Sequence, residues 1–182
     1  FEQIPLEPTE LRLVLRQTAE IMRRFDALES AEYESVQTLD REAGLVAVVE
    51  GWYRAAAERC VMAAQPAHAE PPPAPDDNGA RDQVLTLAMR PFLSRCAEVL
   101  QPRAELALWS HPHCPLCSGE PDFAVITPAA ERQLICGRCT LRWKFDPLTC
   151  PYCRNDDRSL ISSFATSDGQ YRVYACNVCK RD

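Results

Sequence analysis

Residues 136–153 read Cys136-Gly-Arg-Cys-Thr-Leu-Arg-Trp-Lys-Phe-Asp-Pro-Leu-Thr-Cys-Pro-Tyr-Cys153, two Cys-x-x-Cys pairs separated by ten residues. A third pair, Cys114 and Cys117, lies eighteen residues before them, and a fourth, Cys176 and Cys179, twenty-two residues after. Two residues between paired cysteines let one tight turn present both sulfurs to the same ion, and a second such turn completes a tetrahedron of thiolates. Consecutive pairing predicts one site from Cys114, Cys117, Cys136 and Cys139. It predicts a second from Cys150, Cys153, Cys176 and Cys179. Interleaved pairing would need crossing connections, which short chain paths disfavour.

Ten cysteines in 182 residues would also suit a secreted disulfide scaffold. Four repeats of the same spacing argue for metal instead, and Phe1-Glu2-Gln3-Ile4-Pro5 has none of the basic and apolar character of an export signal. The expectation is metal ligation in a reducing cytoplasm. Modules of this size bury too little core to fold alone, and a structural zinc site supplies about 10–16 kcal/mol of apparent binding free energy. Iron is the alternative, because Cys114-Pro-Leu-Cys117 and Cys150-Pro-Tyr-Cys153 carry the proline of a rubredoxin-type knuckle. Such knuckles usually put glycine after the second cysteine, where φ is positive. Ser118, Thr140, Arg154 and Lys180 stand there instead, and zinc is the favoured metal of the isolated protein.

Working outward, short β segments alternate with the pairs: 124–126, 133–135, 141–145 and 171–175, the last entered through an Asp168-Gly169 turn. Trp143 is expected in the core of its ribbon. Upstream of about Leu108 the pattern becomes helical. Thr9 is the expected N-cap of a helix burying Leu11, Val14, Leu15, Met22 and Phe25. Asp40 is the expected cap of a second, with Leu45, Val48, Val49, Trp52, Ala56 and Cys60 on its stripe. A third carries Leu85, Ala88, Phe92, Cys96 and Leu100, with Pro91 as a kink or as the start of a new helix. The Pro-rich stretch 66–80 reads as an exposed loop. Cys60 and Cys96 are expected to be buried packing residues, and His111 and His113 surface residues beside a site already supplied with four thiolates. The chain is thus expected to be α+β: an N-terminal helical bundle (1–108) followed by two tandem rubredoxin-like or zinc-ribbon modules (109–147 and 148–182).

The net charge of −6 is uneven. From His111 onward nine Lys/Arg meet eight Asp/Glu, so the acidity lies in the helical part. A nucleic-acid-binding ribbon protein, the reading from a different functional class, normally needs a basic footprint to neutralise phosphates, and neither half has one. Arg142, Arg154, Arg158 and Arg172 are candidates for a small anion-binding patch. No Ser-His-Asp set, phosphate loop or dinucleotide fingerprint is present, so an enzyme is not expected. No apolar run reaches eighteen residues, which leaves no membrane span.

The order of motifs resembles a known family. A helical region is followed by Cys114-Pro-Leu-Cys117, then Leu134-Ile-Cys136-Gly-Arg-Cys139-Thr-Leu-Arg-Trp143. Cys150-Pro-Tyr-Cys153 comes next, and the chain closes on Tyr171-Arg-Val-Tyr-Ala-Cys176-Asn-Val-Cys179-Lys180. This arrangement is similar to that of the formate dehydrogenase accessory (formation) proteins, FdhE, and the resemblance is specific over 111–180. It implies a cytoplasmic maturation factor, not a catalyst, that associates with the molybdenum-containing catalytic subunit of formate dehydrogenase. It also implies that the eight paired cysteines are the metal ligands, with two metal ions as cofactors.

Overall fold

The computed structural model describes residues 7–41, 44–63 and 79–181. Among them the chain is α+β, with four helices followed by two small antiparallel sheets. Helix α1 (Pro8–Arg24) starts two residues earlier than expected. Glu7 is its N-cap, with Pro8 in the first turn, where a preset φ helps and a missing N–H costs nothing. Thr9 therefore sits inside the helix. Leu11, Leu15, Ala19 and Met22 are buried, whereas Phe25 is 74% exposed. The helix has ended by then, and the chain reverses through Asp26 at φ 56°.

Helix α2 (Ser30–Arg41) has no counterpart in the sequence reading. It buries Val36 and Leu39, too few apolar positions to make a clear stripe. The Glu32 carboxylate accepts the Glu29 N–H at 2.8 Å, half of a capping box, and that is the local signal of its start. Asp40, expected to cap the next helix, instead lies in the last turn of α2. Helix α3 (Leu45–Ala63) buries Leu45, Val49 and Ala56, with Val48 and Trp52 half-buried. The Cys60 side chain and the loop expected over 66–80, up to residue 78, lie outside the described residues.

Helix α4 (Gly79–Leu100) runs unbroken through Pro91, whose ring faces solvent. Its buried line is Val84, Leu85, Ala88, Met89, Leu93 and Ala97. The expected line is thus rotated by one residue in its second half: Phe92, Cys96 and Leu100 are half-buried and Leu93 and Ala97 take the core. Helix α1 packs on α4 and α2, and α2 also packs on α3 and α4.

The first ribbon is a three-stranded sheet in the order β1 (Pro121–Ile126), β2 (Arg132–Cys136), β3 (Arg142–Lys144). Leu134 of β2 sits between Ala124 and Trp143. The second ribbon is a two-stranded sheet of β4 (Ile161–Ala165) and β5 (Arg172–Cys176), in register from Ile161 opposite Cys176 to Ala165 opposite Arg172. Its turn uses Gly169 at φ 69°, as the Asp168-Gly169 pair predicts. The buried cluster that contains the α1 and α4 residues extends without a break into Leu134, Leu141, Trp143, Phe145 and the first four cysteines.

Candidate metal centres

The four cysteine pairs form four copies of one backbone turn. In each, the N–H three residues past the first spacer position, on Ser118, Thr140, Arg154 and Lys180, donates to the carbonyl of the first cysteine at 2.9–3.1 Å. The N–H of each first cysteine donates to the carbonyl five residues on, Gly119, Leu141, Asn155 and Arg181, at 2.8–2.9 Å. Those same four residues, Ser118, Thr140, Arg154 and Lys180, have φ between 55° and 61°. The left-handed step usually given to glycine is therefore present at all four knuckles without one. Within the second knuckle the Arg138 and Cys139 N–H groups point toward Cys136 Sγ, at 3.3 and 3.5 Å.

The turns meet in the consecutive pairing. Sγ atoms of Cys114, Cys117, Cys136 and Cys139 lie within 4.8 Å of one another, and so do those of Cys150, Cys153, Cys176 and Cys179. Facing pairs are 3.5 and 3.4 Å apart in the first group and 3.8 and 3.6 Å in the second. Four sulfurs at about 2.3 Å from a central ion stand about 3.8 Å apart, so both groups are close to the size a tetrahedral thiolate site requires. A disulfide would bring two sulfurs to about 2.05 Å, and none of these thiols is so joined. The eight cysteines fit two metal ions by number, softness and geometry. A closed set of four thiolates suits zinc or iron equally.

The two groups differ in surroundings. All four cysteines of the first are buried, while Cys153 and Cys179 of the second are half-buried. Proton sharing follows. In the first group Cys136 is held far below the usual thiol range by hydrogen bonds from Cys114, Cys117 and Cys139. Cys117 is pushed far up by its bonds with Cys114, Cys136 and Cys139 and by burial. In the second, burial raises Cys153 to about 12. Burial also works against ionisation of Cys176, but the N–H groups of Cys179 and Val178 outweigh it and bring that thiol down to about 7. Each group thus holds one thiol that ionises first, and a bound divalent ion would remove the remaining protons.

Around the first group the helices close in. Arg138, between two of its cysteines, lays its guanidinium 3.8 Å over the Trp52 ring, and Trp52 Nε1 donates to Asp82 at 2.7 Å. Tyr53 donates to the Leu116 carbonyl at 3.2 Å, within the other knuckle, and burial raises its phenol. Arg90 donates to the Gly137 carbonyl and pairs with Asp122 at 3.1 Å. These contacts are not legible in the sequence, because the partners lie 30 to 86 positions apart. Trp143 is buried, as expected, and its Nε1 donates to the His111 carbonyl. His113 is half-buried, not at the surface, with burial lowering its ring, and its carbonyl accepts from Trp109 Nε1. His111 is exposed and meets Arg154 through Nδ1 at 3.2 Å. The four arginines proposed as a patch are spread over β3, the third knuckle, a 3-10 turn and β5.

The second group hangs on the first ribbon. Arg181 pairs with Glu120 at 2.7 Å and covers the Tyr152 ring at 3.7 Å, and Arg132 donates to the Thr149 carbonyl at 2.9 Å. Fold and sites together define the class: a helical unit carrying two tandem ribbons, each with a four-cysteine group able to hold a metal ion.

No protein-family model matches the chain. Among characterised proteins, a Protein FdhE homolog from Shewanella oneidensis is 30% identical over 69 residues. That match covers 36% of this chain and 23% of the relative's length. Among solved structures, the FdhE protein from Pseudomonas aeruginosa aligns over 96% of this chain and 65% of its own, at 20% identity and a TM-score of 0.48. The chain thus resembles FdhE proteins in sequence over a limited segment.

Proposed function

We propose that this chain is a maturation factor for formate dehydrogenase, acting in the cytoplasm by docking on the catalytic subunit, and not itself a catalyst. The observation that carries this reading is the order of four knuckles with Trp143 behind the second. It is supported by the likeness to an FdhE homologue. In this reading Cys114, Cys117, Cys136 and Cys139 hold one metal ion, and Cys150, Cys153, Cys176 and Cys179 hold the other, zinc in the isolated protein. The working units are a helical unit (1–108) and ribbons 109–147 and 148–182. No helix among the described residues is long and apolar enough to cross a membrane. Deleting the gene should abolish formate-dependent dye reduction in cells, and the tagged chain should co-purify with the dehydrogenase subunit. Full activity in the deletion strain would end the proposal.

One observation favours a second reading. The left-handed step and the N–H groups aimed at Cys136 Sγ are also what an iron rubredoxin centre uses. Anaerobic preparations would then be coloured and titrate reversibly with a reductant; colourless, redox-silent protein with two zinc ions excludes it.

A further inference from the structure

Helix α1 buries Leu11, Leu15, Ala19 and Met22 but leaves Leu13 56% and Ile21 58% exposed. Those two lie in a line with Glu10, Gln17 and Arg24, at successive spacings of three, four, four and three residues. At 3.6 residues per turn such spacings keep all five on one face, away from the buried line. All five are exposed. Among the described residues neither Glu10 nor Arg24 closes an ion pair.

This line is its own complement when reversed. Turned end for end about Gln17, it brings Leu13 opposite Ile21, Glu10 opposite Arg24 and Gln17 opposite itself. Two α1 helices related by a two-fold axis at Gln17 therefore run antiparallel and make each contact twice, as an isologous interface must. The pairs are apolar near the centre and oppositely charged at the ends. A parallel pair would instead set Glu10 on Glu10 and Arg24 on Arg24, so charge selects the direction. The helix dipole by itself favours an acid in the first turn and a base in the last. It does not require them on the stripe that carries Leu13 and Ile21, nor at equal distances from Gln17.

We propose that the exposed face of α1 pairs with the same face of a second copy of this chain, antiparallel and centred on Gln17, to give a symmetric dimer. A contact built on one helix from each copy falls at the small end of protein interfaces, so the dimer is weak, and its exposed charge pairs make it sensitive to salt. Leu13 and Ile21 supply the apolar contact, and Glu10 and Arg24 fix direction and register. None of the five residues belongs to either cysteine group, and the inference does not depend on a role in formate dehydrogenase maturation.

Sedimentation equilibrium of the full, metal-loaded chain over a concentration series should show a monomer–dimer equilibrium that weakens as salt is added. Glu10→Arg and Arg24→Glu should each weaken it about tenfold, because two attractive pairs become two repulsive ones. Mixing the two variants should restore dimerisation to the parent's level. In the mixed dimer both charge pairs are again opposite in sign, although each variant alone repels its own copies. Circular dichroism and metal content equal to the parent's show that the variants fold, and recovery on mixing is a second check. A chain that stays monomeric at every concentration, with α1 covered by some other partner or segment, would overturn the proposal. So would a dimer indifferent to Glu10→Arg, or single variants that fail to associate when mixed.

Discussion

Lys180 holds a left-handed backbone, φ 60°, only because its knuckle requires it, and an L-residue there costs about 1–2 kcal/mol over a right-handed conformation. Glycine removes that penalty and returns about 0.5–1 kcal/mol as extra freedom of the unfolded chain. Lys180→Gly should therefore stabilise the metal-loaded chain by about 0.5–1 kcal/mol, read as a higher denaturation midpoint. A lower midpoint would mean that the Lys180 side chain does something the structure does not reveal. The reverse substitution is informative at two native glycines. A Cβ on Gly119 would stand 2.9 Å from Cys136 Sγ, and one on Gly137 would stand 2.2 Å from the Asp122 carboxylate. Asp122 is half exposed and can swing out, giving up its pairing with Arg90, but Cys136 is fixed by its three companions. Despite the closer contact at Gly137, Gly119→Ala should be the more damaging, costing about 1–3 kcal/mol of overpacking and lowering metal affinity. Metal content and unfolding of the two variants, compared side by side, decide the order.

At the scale of elements, the joint between helices and first ribbon turns on Arg138. Its guanidinium is nearly buried, stacked on Trp52 and 3.9 Å from Asp82. A desolvated cation–π contact is worth about 2 kcal/mol, so Arg138→Met, which keeps the apolar stem, should lower stability by about that much. Trp52→Leu in the Arg138→Met background should then cost less than Trp52→Leu alone. Additive losses in that double-mutant cycle, measured by thermal unfolding, would show that the stacking carries no energy. This joint also explains what could be read from sequence. The Cys-x-x-Cys spacing is local chemistry, and it is enough to give both cysteine groups and their consecutive pairing, while β patterning gives four of the five strands and misses β4 (Ile161–Ala165). The burial of Trp143 followed from its place between two cysteine pairs. The helices were legible as stripes, but their ends and rotation were decided by partners: Pro8 moved the start of α1, and the packing of Leu93 and Ala97 turned the face of α4. Trp52 was legible as a stripe residue of α3, but its contacts with Arg138 and Asp82 were not, and Arg138, Tyr53, Asp82 and Arg90 matter only through residues far along the chain.

In the whole molecule the two cysteine groups occupy unequal positions. The first lies inside the hydrophobic cluster that runs from Leu11 and Leu15 to Trp143, and α3 and α4 grip both of its knuckles. The second lies outside that cluster and is tied to the first ribbon by Arg181, Tyr152 and Arg132, with Cys153 and Cys179 reachable from solvent. Thiolate sites lose metal when a competing ligand or a proton reaches sulfur, so access sets the order of release. A chelator added to protein loaded with two ions should withdraw one ion quickly, from Cys150, Cys153, Cys176 and Cys179, and the other slowly. Helical circular dichroism should persist through the first phase and fall only in the second, since only the first site shares its core with the helices. Replacing Cys153 with Ser should abolish the fast phase and leave the slow one unchanged, while Cys117→Ser should reduce helicity from the outset. Release in a single phase, or loss of helicity with the first ion, would mean that the two ribbons unfold as one cooperative unit despite the unequal burial of their sulfurs.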